Sequence, residues 1–246
     1  MIKLKNLARL HALALATLVV SSAQSADAQG LPGLSPTTTR ASGASSEHVP
    51  VIYVHGIGAD LFDLWQPART YLLEHGYTKG DITDFHYTSL DGAAPAAEKL
   101  AQEVDWLIAK TGKAKVAIVS HSFGSLVTKL CVVEGGCKGK VSHWSSLAGA
   151  NNGTNLRLGF GSKAEVDLVV DGPLITRIAA SAAEQIAAQG VKVQVQWSPT
   201  DQAVVPPTLS KETWAENVEL PGSVTHQTIL WEAAVIARTH AFLQTP

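Results

Sequence analysis

The sequence predicts an α/β domain built around a mostly parallel sheet, and three observations carry that prediction. Short apolar runs rich in Val and Ile recur along the chain, segments with helical apolar spacing separate them, and no internal repeat is present. Strands that alternate with helices of this length form βαβ units, which produce parallel sheets. The strands are predicted at 51–54, 82–87, 116–119, 141–147, 191–197 and 218–220.

The helices are predicted from apolar residues that recur at three- and four-residue intervals. The clearest helix is 93–110, where Leu100, Val104 and Leu107 share one side. The others are expected at 61–75, from the turn after 119 to 130, at 173–188 and at 229–243. No strand pattern interrupts residues 156–190, which we therefore interpret as an excursion from the α/β rhythm, either an insertion or a small helical lid.

The amino terminus has the three-part pattern of a signal peptide. Lys3, Lys5 and Arg9 precede the apolar run 10–20, and a small-x-small site ends at Ala28. Because this apolar run is much shorter than the ~20 residues that span a bilayer, cleavage is favoured over a membrane anchor. We expect a signal peptide at 1–28, a flexible leader at 29–48, and a folded domain at 49–246 of a secreted protein, extracellular or periplasmic.

Composition and cysteine usage agree with export. The chain is 46% apolar with a formal net charge of −2, which gives no electrostatic reason to expect nucleic acid as a partner.

Only two cysteines occur, Cys131 and Cys137, with Gly135 and Gly136 between them. In an oxidising compartment this pair is expected to form a structural disulfide rather than two free thiols.

The stretch "VAIVSHSFGSL" predicts a serine nucleophile. A strand, a small-x-Ser-x-Gly turn and a helix follow one another, and the turn places Ser122 between the small residues Ser120 and Gly124. This is the pattern of a nucleophile elbow. The oxyanion hole is expected from two backbone N–H groups, those of Phe123 and of Ile57 in the loop after the first strand. A dinucleotide-binding turn at residues 56–61 is disfavoured because Leu61 stands where a third glycine is needed.

The acid and the base are predicted from their order along the chain. Asp201 follows the strand "KVQVQW", and His226 lies in the loop before the last helix. In α/β-hydrolases the nucleophile, the acid and the histidine follow in this order along the chain. The histidine transfers the proton, and the acid orients the imidazole of the histidine. Asp167 and Asp171 are weaker candidates for the acid, and His240 lies within the predicted terminal helix.

Five segments, "VPVIYVHGIG", "VAIVSHSFG", "LAGANNGT", "WSPTDQAVVP" and "GSVTHQTIL", resemble those of the secreted bacterial class 2 (lipase A-like) lipases and esterases. The resemblance covers most of the chain after residue 49. It implies the α/β-hydrolase fold and acyl-ester hydrolysis by Ser122, Asp201 and His226, with the amides of Ile57 and Phe123 as the oxyanion hole. The chain is longer than the smallest members between residues 156 and 190, so the resemblance does not imply a site without a lid.

The expected function is therefore that of a triacylglycerol lipase or carboxylesterase that forms an acyl-enzyme. A polyester depolymerase of the same mechanism and a catalytically silent binding protein are the alternatives. No metal-binding motif and no cofactor are expected. The expected partner is an acyl ester, with transient lipid-surface contact and no stable membrane insertion. Leu174, Ile178, Ala182 and Ile186 form an apolar stripe that would either pack on the domain or cover Ser122 as a lid.

Overall fold

The computed structural model describes residues 47–246 except 61, 158 and 160. The predicted signal peptide and the leader up to residue 46 lie outside the described residues. No helix in the described part of the chain has the length and apolarity needed to cross a bilayer.

The predicted parallel sheet is confirmed. Six strands run in the order β2-β1-β3-β4-β5-β6, and every neighbouring pair is parallel. Strands β1, β3, β4 and β5 are buried almost throughout because helices cover both faces of the sheet, which favours continuous Val/Ile runs over alternation. The strands are β1 Val51–Val54, β2 Ile82–Phe85, β3 Val116–His121, β4 Val141–Leu147, β5 Lys192–Trp197 and β6 Glu216–Glu219.

Within the described residues, six α-helices cover the sheet and three short 3₁₀ turns lie in the loops. The α-helices are α1 Gln66–Glu74, α2 Ala93–Thr111, α3 Phe123–Val133, α4 Lys163–Asp167, α5 Pro173–Gln189 and α6 Ala233–Leu243. The 3₁₀ turns are Ser89–Asp91, Pro207–Ser210 and Thr228–Leu230.

Alternate residues of the strands contribute their side chains to two separate apolar cores. On one face Ile52 and Ile118 pack with residues of α2, α3 and α5. On the other face Val51 and Val119 pack with residues of α1 and α6. This division follows from the strand period of two, and it makes the domain a three-layer sandwich.

Three helices differ clearly from the predictions, two at their starts and one in not being predicted. The helix predicted from residue 61 begins at Gln66, with proline in its first turn, where a missing N–H costs no internal hydrogen bond. The terminal helix begins at Ala233, after the separate 3₁₀ turn Thr228–Leu230. Helix α4 was not predicted, because five residues are too few to show a period.

The apolar stripe of α5 is packed against the body of the domain. Ile178 is fully buried, and Ile175, Ala182 and Ile186 are nearly so, within the core that also holds α3. Leu174, the first residue of the predicted stripe, is only partly buried, and Ile175 is buried instead. The stripe therefore has the contacts of a packing helix, and the lid over Ser122 stays a prediction.

Cys131 and Cys137 form a disulfide across a Cα–Cα distance of 5.1 Å. We expect thiol titration of the denatured, unreduced protein to find no free thiol, and reduction to release two. Because the closed loop spans only six residues, its loss should cost no more than about 2 kcal/mol of unfolding free energy. Two thiols before reduction would contradict this pairing.

Candidate active site

Ser122 lies at the sharp turn between β3 and α3. Its backbone has φ 55° and ψ −127°, a conformation that non-glycine residues rarely adopt. Its N–H donates to the carbonyl of Leu147, and its own carbonyl accepts from the N–H of Ala150. These bonds to the end of β4 hold the strained turn in place. Strain of this kind, fixed by the surrounding structure, is a feature of functional sites.

The turn requires small neighbours. A Cβ on Gly124 would lie 2.6 Å from the carbonyl oxygen of Val54 and would also overlap the carbonyl of His55. A Cβ on Gly56 would lie 2.8 Å from the Cβ of Ser122. The small-x-Ser-x-Gly pattern is thus explained by the close approach of α3 to the end of β1.

Gly124→Ala should therefore damage the site. Since both clashing partners are backbone atoms, the turn has to shift, and we expect a loss of about 1–3 kcal/mol in unfolding free energy together with a drop in any Ser122-dependent activity. Gly80→Ala is the matched control, because its Cβ would meet only Thr78 Oγ1 at 3.4 Å. Thermal unfolding and kcat/KM of both variants check this, and an unchanged Gly124→Ala would contradict it.

The structure brings Ser122, His226 and Asp201 together, although they are far apart in sequence. His226 Nδ1 donates to Asp201 Oδ2 at 2.8 Å, and its Nε2 is 2.9 Å from Ser122 Oγ. With the Nδ1 proton committed to the carboxylate, Nε2 accepts from the serine hydroxyl. The three side chains form one chain of hydrogen bonds.

Asp201 is stabilised as a carboxylate. Burial disfavours its charged form, but the hydrogen bond and charge of His226 and the N–H groups of Val204 and Ala203 outweigh burial and lower its pKa. A carboxylate that keeps its charge at the buried end of the chain holds His226 in the required tautomer. Asp167, the weaker candidate, instead accepts from the N–H of Ala93 at the start of α2.

His121, the residue before the nucleophile, holds the backbone of the base His226. Its Nε2 donates to the backbone carbonyl of His226 at 2.8 Å, and the two rings lie 4.7 Å apart. Desolvation, reinforced by the neighbouring His226, lowers the pKa of His121 to about 3. This imidazole is therefore neutral, and it fixes the position of the loop that carries His226.

The loop after β1, which carries the predicted oxyanion donor, is anchored by residues that follow β2. Tyr87 donates its hydroxyl to the carbonyl of His55 at 2.7 Å and stacks on the His55 ring. His55 in turn donates from Nδ1 to the carbonyl of Gly56 at 2.9 Å, and burial lowers the pKa of His55. His55 is a hydrogen-bonded structural histidine.

A second anchor holds the same loop one residue past Ile57. Gly58 donates its N–H to Ser89 Oγ at 2.9 Å, and Ser89 donates its own N–H and hydroxyl to the carboxylate of Asp60. Phe123, the other predicted donor, is the first residue of α3, so its N–H is one of the groups that a helix leaves without an internal partner. Ile57 and Phe123 remain the predicted oxyanion residues.

A buried polar network lies beneath the elbow, and sequence reasoning missed it. Trp144 Nε1 donates to Ser120 Oγ at 2.8 Å, and Ser120 is linked through Ser125 to Ser146. Ser146 is joined in turn to Asn151. The first small residue of the elbow is thus serine rather than glycine because its hydroxyl serves this network.

The network ends in a buried ion pair between α3 and the loop before β6. Lys129 Nζ donates to Glu212 Oε1 at 2.5 Å and to the carbonyl of Asn151 at 3.1 Å, and both charged side chains are at least 94% buried. Burial raises the pKa of Glu212, and Lys129 opposes that shift. No sequence pattern points to this pair, because its members are 83 positions apart.

Comparison with known proteins finds a partial match to a lipase family. Residues 48–159 match the family model described as "Lipase (class 2)". A triacylglycerol lipase of Burkholderia plantarii is 33% identical over 100 residues, which is 39% of this chain and 28% of that protein. The chain thus spans well under a third of the length of this relative.

Solved structures agree in fold. The mature lipase BlEst2 of Bacillus licheniformis aligns with a TM-score of 0.67 at 14% identity, over 80% of this chain and 93% of that one. Lipase B of Aspergillus fumigatus aligns with a TM-score of 0.61 at 18% identity, over 79% of this chain and 54% of that one. At such identities the likeness shows the fold alone. The chain therefore has the α/β-hydrolase fold, and its residues 48–159 are similar to the class 2 lipases.

Proposed function

We propose that the protein is an exported serine ester hydrolase, a lipase or carboxylesterase that works through an acyl-enzyme. The observation that carries the proposal is the hydrogen-bonded chain from Ser122 through His226 to Asp201, with the serine on a strained turn at the carboxyl edge of the sheet. The match of residues 48–159 to the class 2 lipase family model supports the same chemistry.

The geometry supports the following roles. Ser122 Oγ attacks the ester carbonyl while its proton passes to His226 Nε2, and that proton then goes to the leaving alcohol. Asp201 stabilises the imidazolium that forms in between. The amides of Ile57 and Phe123 would stabilise the negative charge on the carbonyl oxygen. Water repeats the sequence on the acyl-enzyme and releases the acid.

Hydrolysis of an aryl ester tests the proposal. The mature chain should release the phenol with saturation kinetics, and Ser122→Ala should abolish that release. A panel from short soluble esters to emulsified long-chain triglycerides and polyester particles then separates an esterase from a lipase and from a depolymerase. If wild type hydrolyses no ester of the panel, the chain is a catalytically silent member of its fold.

A further inference from the structure

A cleft of about 330 Å³ opens beside the loop after β1. One of its walls is His55, and the next residue, Gly56, packs directly against Ser122. The cleft lies where β1 and β2 end, at the same edge of the sheet as Ser122, although Ser122 does not line it. Its volume is within the range of small-ligand sites. Its lining residues are His55, Asp60, Phe62, Asp63, Trp65, Asp84, Phe85 and His86.

The charge of the cleft is negative. Its wall contains the three carboxylates of Asp60, Asp63 and Asp84 and neither lysine nor arginine. Arg69, which pairs with both Asp63 and Asp84 from outside the lining, supplies one positive charge against these three. A cleft with this excess of negative charge attracts cations.

Two acceptor atoms in the wall lack a hydrogen-bond partner among the described residues. They are His55 Nε2 and Asp84 Oδ1. His55 is 5% exposed, and because its Nδ1 proton goes to Gly56, Nε2 is free to accept. Asp84 uses its other oxygen for Arg69. Buried polar atoms nearly always have a partner, so two unpaired acceptors in one wall are unusual. Both are shielded from solvent, and His55 Nε2 lies 3.7 Å from Asp60 Oδ1, so they strengthen the preference of the wall for positive charge without contacting a ligand directly.

Aromatic rings complete the wall. Phe62, Trp65 and Phe85 line the cleft, and Phe62 is half exposed at 53%. Aromatic faces attract organic ammonium groups, and the attraction increases when water is excluded. An apolar acyl chain would instead desolvate three carboxylates without compensating them, which is unfavourable.

We propose that this cleft binds the alcohol part of the ester and selects alcohols that carry a compact protonated amine, as in dialkylaminoethyl esters. The inference rests on the proposed ester hydrolysis. The Ser122 Oγ–acyl bond forms, the ester C–O bond breaks, and the proton from His226 leaves with the alcohol. The ammonium group keeps its own proton throughout and donates a hydrogen bond through it to a carboxylate of the wall.

A matched substrate pair tests the selection. Dimethylaminoethyl butyrate and isoamyl butyrate have nearly the same shape and differ by N–H⁺ in place of C–H. At neutral pH and low salt, kcat/KM for the aminoester should exceed that for the neutral ester about tenfold, and the preference should decrease as salt screens the carboxylates. Asp63→Asn should bring the ratio towards one. Asp91→Asn, which changes an exposed carboxylate outside the lining, should leave the ratio unchanged.

A binding measurement keeps this inference separate from the proposed activity. Dimethylaminoethanol should bind to the Ser122→Ala protein, with chemical-shift changes that isoamyl alcohol does not cause and that Asp63→Asn weakens. If wild type hydrolyses both esters with equal kcat/KM, the selection is wrong while ester hydrolysis stands. If it hydrolyses neither, ester hydrolysis fails, and binding of dimethylaminoethanol alone then decides whether the cleft is a site for cations.

Discussion

Ser122→Ala is expected to lower kcat for an aryl ester by about four to six orders of magnitude, because the hydrogen-bonded chain loses its nucleophile. His226→Ala should have an effect of similar size. Since the three side chains act as one unit, the triple variant with Asp201→Ala should be little slower than Ser122→Ala alone. Single-turnover and steady-state kinetics measure these effects.

The position of the acid is tested in the same series. Asp201→Ala should be the mildest of the three, because it retains both the nucleophile and the base, which lie 2.9 Å apart in the unsubstituted protein. Asp171→Asn is the matched control, since this carboxylate is exposed. Near-full activity in Asp201→Ala combined with loss in Asp167→Asn or Asp171→Asn would show that the acid is assigned to the wrong residue.

The largest effect on stability is expected at the ion pair beneath the elbow. Lys129→Met leaves the carboxylate of Glu212 buried without its partner and should cost about 3–5 kcal/mol of unfolding free energy. Glu212→Leu should lower the unfolding free energy by a similar amount, because it leaves the ammonium group of Lys129 buried without its carboxylate partner. The double variant Lys129→Met/Glu212→Leu should be more stable than either single variant, because replacing both charges removes the uncompensated one.

Denaturant unfolding of the four proteins measures this coupling. Lys140→Met is the matched control, because its partner Asp105 is more than half exposed and such pairs contribute little. Additive losses in the double variant would contradict the account of the pair as a mutually compensating unit.

The parts of the molecule that sequence reasoning could predict are those with local patterns. The strand, turn and helix around Ser122 occupy neighbouring positions, so one stretch of sequence shows the whole elbow. Asp201 and His226 were predicted because parallel strands bring their carboxyl ends to one edge, so that chain order and strand ends place both residues near the elbow. The structure brings all three side chains within hydrogen-bond distance.

The remaining features depend on contacts between distant segments. Ser89 and Asp60 are 29 positions apart, and nothing in either local sequence shows that together they anchor the loop after β1. The two unpaired acceptors of the cleft wall also come from distant segments, because His55 follows β1 and Asp84 lies in β2. The apolar stripe of α5 was predicted, but whether it packs on α3 or covers Ser122 depends on chain connections that periodicity does not encode.

The most direct test of the central claim is covalent labelling by a fluorophosphonate, followed by peptide mapping of the labelled protein. The probe reacts with a serine whose hydroxyl is activated by a neighbouring base. We expect one label per chain, carried by the peptide that contains Ser122, absent in Ser122→Ala and strongly slowed in His226→Ala. A label on another residue, or labelling of Ser122 at an undiminished rate in His226→Ala, would contradict the account of Ser122 as a nucleophile activated by His226.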